Sequence, residues 1–222
     1  MIPKKALQFM ADLKANNTTE WMHENKKRYE EYKMDYHNFI ASMLAELKPL
    51  DPSLEPLEVK NCTFRINRDI RFSKDKTPYK THISAWFSTN KNFKNAPGYY
   101  FHLDNDAAFI AGGMYCPEPD ELKKVRKEIE FFYDDLNVIL NNKIFKNEFG
   151  SLSTEDQLKK APKDFDPNHP AIELLKLKSF TVSKPIDVST ISNLDFSKTT
   201  AQKLLLLKPL NEFLNRALTL DA

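Results

Sequence analysis

The stretch YYFHLDNDAAFIA, residues 99–111, decides the fold class of this chain. It holds two short apolar and aromatic runs, 99–103 and 107–111, on either side of Asp104-Asn105-Asp106, whose composition is typical of a tight turn. So short a connection joins antiparallel strands, because parallel neighbours need a crossover of about a dozen residues or more. The stretch therefore predicts a β-hairpin.

Segments before this hairpin also show strand spacing. Residues 79–88 alternate between two sets of side chains, and the apolar residues of 64–72 lie two or four positions apart. We therefore expect an antiparallel sheet over about residues 57–115, with 178–186 as a further candidate strand. Gly112 and Gly113 follow the hairpin, where they indicate a strand end or a bulge.

Helical periodicity flanks the predicted sheet on both sides. Apolar spacing predicts a helix over 3–15 that is opened by Pro3, and Asn17 with Glu20 resembles a capping box that starts a long helix ending before Pro49. After the sheet, an apolar stripe predicts a helix from Pro117 to about residue 140.

The C-terminal part is rich in leucine. Residues 199–219 are predicted to be helical, with a kink or a fresh start at Pro209. Taken together, the patterns predict one α+β domain over residues 1–222. It is a mainly antiparallel sheet packed by N-terminal and C-terminal helices.

Composition and charge indicate which class of protein this chain belongs to and which partners it is expected to lack. The 222-residue chain is 41% hydrophobic and 29% charged, with a net charge of +2. These values are ordinary for a soluble globular protein, and the small net charge argues against nucleic acid as the partner. Neither a membrane-spanning apolar run nor a signal-peptide core is present, so we expect a cytoplasmic protein without membrane association. Cys62 and Cys116 lack metal-binding spacing and are expected to be reduced thiols.

Positive charge is concentrated in FRINRDIRFSKDKTPYKTH, residues 64–82, which holds six Lys/Arg and two Asp. In the predicted strand over 64–72, Arg68 shares a face with the apolar side chains. An unpaired buried guanidinium costs several kcal/mol, so Arg68 needs a carboxylate, a bound anion or a bulge that rotates it outward.

The segment suggests an anion site, because arginine binds phosphate and carboxylate groups bidentately. Arg68 and Arg71 would hold the anion, Asp69 would orient one arginine, and three residues would line the rim: Lys76, Tyr79 and Lys80. His82 is the candidate for proton transfer. The expected ligand is a small molecule that carries phosphate or carboxylate, and both an enzyme and a non-catalytic binding protein stay open.

Two alternatives also stay open. The segment could be a nucleic-acid-binding ribbon with Trp86 or Tyr79 stacking on bases, or a structural Arg/Asp network without a ligand. No metal site is predicted, because the five histidines lack ligand spacing, and no cofactor is predicted. Oligomeric state is open.

The segment RDIRFSKDKTPYKTH, together with NNTTEWMHENKKRYEEY upstream, resembles the hallmark of domain-of-unknown-function family 2461. Pro162-Lys163 and His169-Pro170 resemble a later element of that family. The resemblance adds Trp21 and Lys26 as candidates for a pocket wall, and it implies a shared structure around the hallmark without an assigned activity. The chain departs from the pattern at Met22 and Asp164.

Overall fold

A computed structural model describes residues 1–90, 92–93 and 95–219. The fold is α+β, as predicted, with 48% helix and 14% strand. The antiparallel sheet has the order β1-β2-β3-β4. Its strands are β1 Ile83–Ser88, β2 Gly98–Leu103, β3 Ala108–Met114 and β4 Phe180–Ile186.

The helices of the described residues occupy both ends of the chain and the interval between β3 and β4. They are α1 Lys4–Ala15, α2 Thr19–Glu24, α3 Lys26–Leu47, α4 Val59–Cys62, α5 Pro119–Phe131, α6 Tyr133–Asn141, α7 Lys143–Phe149, α8 Ile172–Leu175, α9 Phe196–Leu205 and α10 Lys208–Thr219. Short 3-10 helices occur at Pro52–Leu54 and Val188–Thr190.

The chain forms two compact units. One comprises Met1–Phe87, Tyr100–Ile110 and Pro185–Gln202, and the other comprises Ser88–Tyr99, Ala111–Lys184 and Lys203–Ala222. The expectation of a single domain over the whole chain stays a prediction.

Aromatic packing builds the core of the first unit. The fully buried Phe39 of α3 lies 5.0 Å from Phe101 of β2 and 5.8 Å from Phe196 of α9, measured between ring centroids. At the other end of α3, Tyr32 lies 4.9 Å from Phe9 of α1. The apolar face of α3 is thereby fixed against strand and helix, which sets the direction of its remaining side chains.

In the second unit, close backbone approach and an ion network hold the elements. Gly113 has φ +101°, and a Cβ there would lie 2.0 Å from the carbonyl oxygen of Phe180 in β4. Only glycine allows β3 and β4 this separation. Arg216 of α10 donates to the buried Glu128 of α5 and to Asp135 of α6.

The structure confirms the first predicted helix and divides the second one. The helix after Pro3 is confirmed as α1, but the long helix is interrupted at Asn25, which ends α2 and precedes α3. The capping prediction at Asn17 is wrong. Thr18 is the N-cap of α2 and its hydroxyl accepts a hydrogen bond from the Trp21 amide.

The segment before β1 is where the predicted sheet and the structure disagree. Residues 57–82, all of them described, contain isolated bridges instead of strands, namely Thr63 with Ala85 and Asn67 with Tyr79. The strand predicted over 64–72 is therefore wrong, and the sheet begins at Ile83. Phe64 and Phe72, expected on a core face, are 46% and 95% exposed.

Later strand and helix predictions fare better. The hairpin is confirmed as β2 and β3, and the candidate strand at 178–186 is confirmed as β4. The predicted helix over 117–140 divides into α5 and α6 at Phe132. At Pro209 the fresh start is confirmed, because Pro209 is the second residue of α10.

Candidate functional site

A cavity of about 410 Å³ lies in the first unit, between α3 and the chain from Lys60 to Ser84. Its walls combine aromatic rings with basic and neutral polar side chains. The lining residues are Tyr29, Tyr32, Lys33, Tyr36, His37, Lys60, Thr63, Phe64, Arg65, Ile66, Asn67, Lys80, His82 and Ser84.

Helix α3 supplies one wall through simple periodicity. Tyr29, Tyr32 and Tyr36 lie at i, i+3 and i+7, while Lys33 and His37 lie four residues apart beside them. The Tyr36 hydroxyl donates to the Ser84 carbonyl at 2.5 Å and accepts from the Phe64 amide at 3.3 Å. Tyr36 therefore joins α3 to the two segments of the opposite wall, at Phe64 and at Ser84.

The opposite wall is formed by the base of a loop. The Lys80 amide donates to the Ile66 carbonyl at 2.8 Å, and the Arg68 amide donates to the Pro78 carbonyl at 2.9 Å. These bonds hold 65–67 beside 79–80, so that the Arg65 and Lys80 side chains enter the same cavity. Lys80 Nζ lies 5.3 Å from the Phe64 ring centroid, as in a cation–π contact.

The charge of the lining residues is one-sided. Lys33, Lys60, Arg65 and Lys80 line the cavity together with two histidines, and the lining set contains no carboxylate. Lys60 is paired with Glu58 at 2.8 Å, whereas the other three cations form no ion pair with a described carboxylate. Burial, followed by the positive charge of Arg65, lowers the pKa of Lys80.

Burial and nearby positive groups lower the pKa of both lining histidines. Burial, then His102, then Lys80 lower the pKa of His82 to about 4, while Asp104 acts in the opposite direction. The His82 and His102 ring centroids are 4.6 Å apart. Burial and then Lys33 lower the pKa of His37. His82 is thus neutral near pH 7, and a bound anion would favour its protonation.

Tyr32 adds a polar group deep in the wall. Its side chain is only 6% exposed, and its hydroxyl makes no hydrogen bond to another described residue. Burial raises its pKa well above the ordinary tyrosine value. A tyrosine hydroxyl at the cavity wall can donate to a molecule in the cavity.

Lys80 and His82, both candidates from the sequence, line the cavity, but Arg68 does not. Arg68 is not buried in the core, and this is the correction that follows from the missing strand. Its guanidinium donates to the Asp75 carboxylate at 2.5 Å, to the Thr77 carbonyl at 3.1 Å and to the Thr77 hydroxyl. Its side chain is 26% exposed. The required partner is therefore a carboxylate of the same loop.

Three other candidates also take part in the loop 66–80 without lining the cavity. Arg71 donates to Asp69 through two nitrogens, at 2.9 and 2.7 Å, and both residues are exposed. Asp69 therefore pairs with Arg71, and its role in holding an arginine toward a bound anion stays a prediction. Lys76 donates to the Ile70 carbonyl at 2.9 Å.

The sequence-based selection missed the α3 and Lys60–Asn67 lining residues. Neither Arg65 nor the α3 tyrosines are among the candidates that the sequence indicates. The helical spacing of Lys33 and His37 beside three tyrosines was a usable signal. Lys60 and Asn67 carried none, because their positions depend on how the chain enters and leaves the loop.

Comparison with known proteins bears on this arrangement. A family model described as conserved hypothetical protein (DUF2461) matches residues 5–213. The chain belongs to the DUF2461 family. Comparison with curated proteins and with solved structures gives no match.

The structure explains one DUF2461 hallmark residue that the sequence alone had misplaced. The Asn17 side chain donates to the Tyr79 carbonyl at 2.9 Å and accepts from the Tyr79 amide at 3.1 Å. The asparagine thus pairs with the backbone beside Lys80, as a neighbouring strand would. Tyr79 itself lies next to the cavity wall and is partly buried.

Trp21 and Lys26, added through the DUF2461 resemblance, lie away from the cavity lining. The Trp21 ring centroid is 5.7 Å from that of Phe9, and the Arg28 guanidinium lies 5.9 Å from the Trp21 ring. Lys26 begins α3 and is exposed. Both contribute to the α1–α3 region of this DUF2461 protein.

Across 1–90, 92–93 and 95–219, no helix combines the length and apolar character that a membrane span requires. Over the same residues, no group of three or more His, Cys, Asp or Glu side chains is placed to hold a metal ion.

Proposed function

We propose that this protein binds a small molecule bearing phosphate or carboxylate in the cavity between α3 and residues 60–84. The observation that carries the proposal is that three cations without a described ion-pair partner, Lys33, Arg65 and Lys80, line one cavity together with two histidines and no lining carboxylate. Like charges placed together destabilise the free protein, and an anion relieves that repulsion. Burial and then the positive charge of Arg65 lower the pKa of Lys80, so repulsion between the two cations is the smaller of the two causes.

Local geometry supports the same proposal. Arg65 offers a planar guanidinium for bidentate contact, and Lys33 and Lys80 offer ammonium groups. Tyr32 lines the cavity, and its hydroxyl supplies a neutral donor at the wall. Together these groups can satisfy several oxygens of one phosphate or carboxylate, and the half-enclosed setting strengthens each bond relative to water.

Phosphate titration followed by thermal unfolding and calorimetry tests the proposal. Inorganic phosphate at a hundred times its Kd should stabilise the folded protein by about 2.7 kcal/mol. Arg65→Gln should weaken phosphate binding at least tenfold. Arg71→Gln is the matched control, because Arg71 is paired with Asp69 outside the cavity.

The Arg71→Gln control also shows whether the anion binds in the cavity or at the loop 66–80. If Arg71→Gln weakens binding and Arg65→Gln does not, the anion lies at the loop 66–80 rather than in the cavity. Absence of binding by wild type to both phosphate and acetate would refute the proposal. A binding constant for single-stranded nucleic acid that falls steeply with salt would favour the nucleic-acid alternative instead.

A further inference from the structure

The cavity has a second chemical half that phosphate alone does not use. Tyr29 and Phe64 line it beside the cations, and Phe64 is 46% exposed although it is a large apolar side chain. Tyr32 and Tyr36 continue the aromatic wall inward, with ring centroids 6.5 Å apart. An anion site formed only for a free ion would not need this aromatic surface.

We propose that the ligand is a phosphate ester of a planar aromatic group, of nucleoside monophosphate size, with its phosphate on Arg65 and Lys80 and its ring against Phe64 and Tyr29. This inference rests on the proposed function and specifies its ligand class. The cations and the aromatic rings line one cavity.

The spacing of the two halves fits such a molecule. Lys80 Nζ is 5.3 Å from the Phe64 ring centroid. A phosphate oxygen accepting from Nζ at about 2.8 Å is therefore within one small linking group of that ring. An aromatic group attached to the phosphate through a short linker can therefore contact Phe64.

Cavity size limits the ligand from above. A volume of about 410 Å³ lies near the lower end of the roughly 300–1,000 Å³ found for small-molecule sites. One ring, one linker and one phosphate fit this space, whereas a dinucleotide would extend into solvent. Neutral polar side chains at the wall, Asn67, Thr63 and Ser84, can hydrogen-bond the edge of a heterocycle or the hydroxyls of a linking sugar.

Calorimetry on the full chain with four probes tests the inference: inorganic phosphate, ribose 5-phosphate, adenosine and adenosine 5′-monophosphate. We expect adenosine 5′-monophosphate to bind at least tenfold more tightly than ribose 5-phosphate, since stacking on an aromatic side chain contributes substantially. Adenosine should bind at least tenfold more weakly than its monophosphate.

Two phenylalanine variants locate the effect. Phe64→Leu should lower the affinity for adenosine 5′-monophosphate about tenfold and leave that for ribose 5-phosphate unchanged. Phe72→Leu is the control, because Phe72 is 95% exposed and does not line the cavity. Since Phe64 is partly exposed, its replacement is expected to leave the fold intact, and a thermal unfolding curve checks this.

Each outcome has a distinct meaning. Equal affinities for ribose 5-phosphate and adenosine 5′-monophosphate overturn the aromatic inference while the anion site stands. Equal losses in Phe64→Leu and Phe72→Leu also overturn it. If phosphate, acetate and both esters all fail to bind, the proposed function and this inference fail together.

Discussion

Replacing Asn17 with alanine removes both hydrogen bonds that hold the Tyr79 backbone. These are the bonds of 2.9 Å to the Tyr79 carbonyl and 3.1 Å from the Tyr79 amide. Each intramolecular hydrogen bond contributes about 1 kcal/mol net, so Asn17→Ala should destabilise the protein by about 2 kcal/mol. For a chain of this size that corresponds to a fall in Tm of about 4–8 °C.

The second consequence concerns the cavity. Tyr79 precedes Lys80, so a loosened backbone there leaves the Lys80 ammonium less well positioned for an anion. We expect phosphate affinity to fall by about three- to tenfold in Asn17→Ala, a loss consistent with one displaced charged donor. Asn17 would then be a positioning residue that acts through Lys80 and does not touch the ligand.

Urea unfolding and phosphate calorimetry measure the two effects on the same samples. Asn38→Ala is the matched control, because Asn38 lies on the exposed side of α3 and makes no side-chain hydrogen bond to a described residue. A change below about 0.5 kcal/mol in Asn17→Ala, as expected for Asn38→Ala, would show that the two bonds do not stabilise the fold.

Three further perturbations follow from the structure. The pKa of His82 is lowered to about 4, so the folded protein binds fewer protons than the unfolded chain between pH 6.5 and 4. The free energy of unfolding should therefore fall as the pH is lowered across that window. After allowance for solvent screening the loss is about 1–2 kcal/mol, and urea unfolding of His82→Gln should lack it. Gly113→Ala should cost more than about 3 kcal/mol, against about 1 kcal/mol for Gly150→Ala, whose Cβ meets no atom; equal Tm values would refute the close approach. Arg68→Met should lower the free energy of unfolding by well below the roughly 3–5 kcal/mol of a broken buried ion pair. A loss of that size or more in urea unfolding would show that Arg68 is buried in the core.

Local patterns predicted the parts of the fold that local contacts determine. The hairpin of β2 and β3 follows from a three-residue polar connector, and α1 follows from apolar spacing after Pro3. The restart of the helix at Lys208 follows from the fixed φ of Pro209 and its missing amide hydrogen. None of these depends on a distant residue.

The strand predicted over 64–72 failed because alternation does not report pairing. A strand needs a neighbour for its amides and carbonyls, and here the hydrogen bonds recorded between 66–68 and 78–80 close a loop. Side chains complete the closure, with Arg68 on Asp75 and Lys76 on the Ile70 carbonyl. Polar contacts of this kind leave no periodic trace in a sequence.

The candidate site was half predictable for the same reason. Lys80 and His82 belong to a segment whose charge stands out, whereas Lys33 and His37 lie on a helix that reaches them from elsewhere in the chain. Helical spacing places Lys33 and His37 on one face with the tyrosines. It does not state which residues that face meets, and that information resides in the tertiary structure.

The basic segment, residues 64–82, therefore has two parts with different roles. At the far part of the loop, Arg71 pairs locally with Asp69, whereas Arg68 bridges to Asp75 and Thr77. At the base of the loop, Arg65 and Lys80 line the cavity and form no ion pair with a described carboxylate. Because a closed loop holds its two ends together, we expect the Arg68–Asp75 pair to help keep these two cations side by side against their mutual repulsion. Opening the loop with Asp75→Asn should accordingly weaken phosphate binding without changing any group in the cavity, and unchanged affinity in calorimetry would show that the base is held by other contacts.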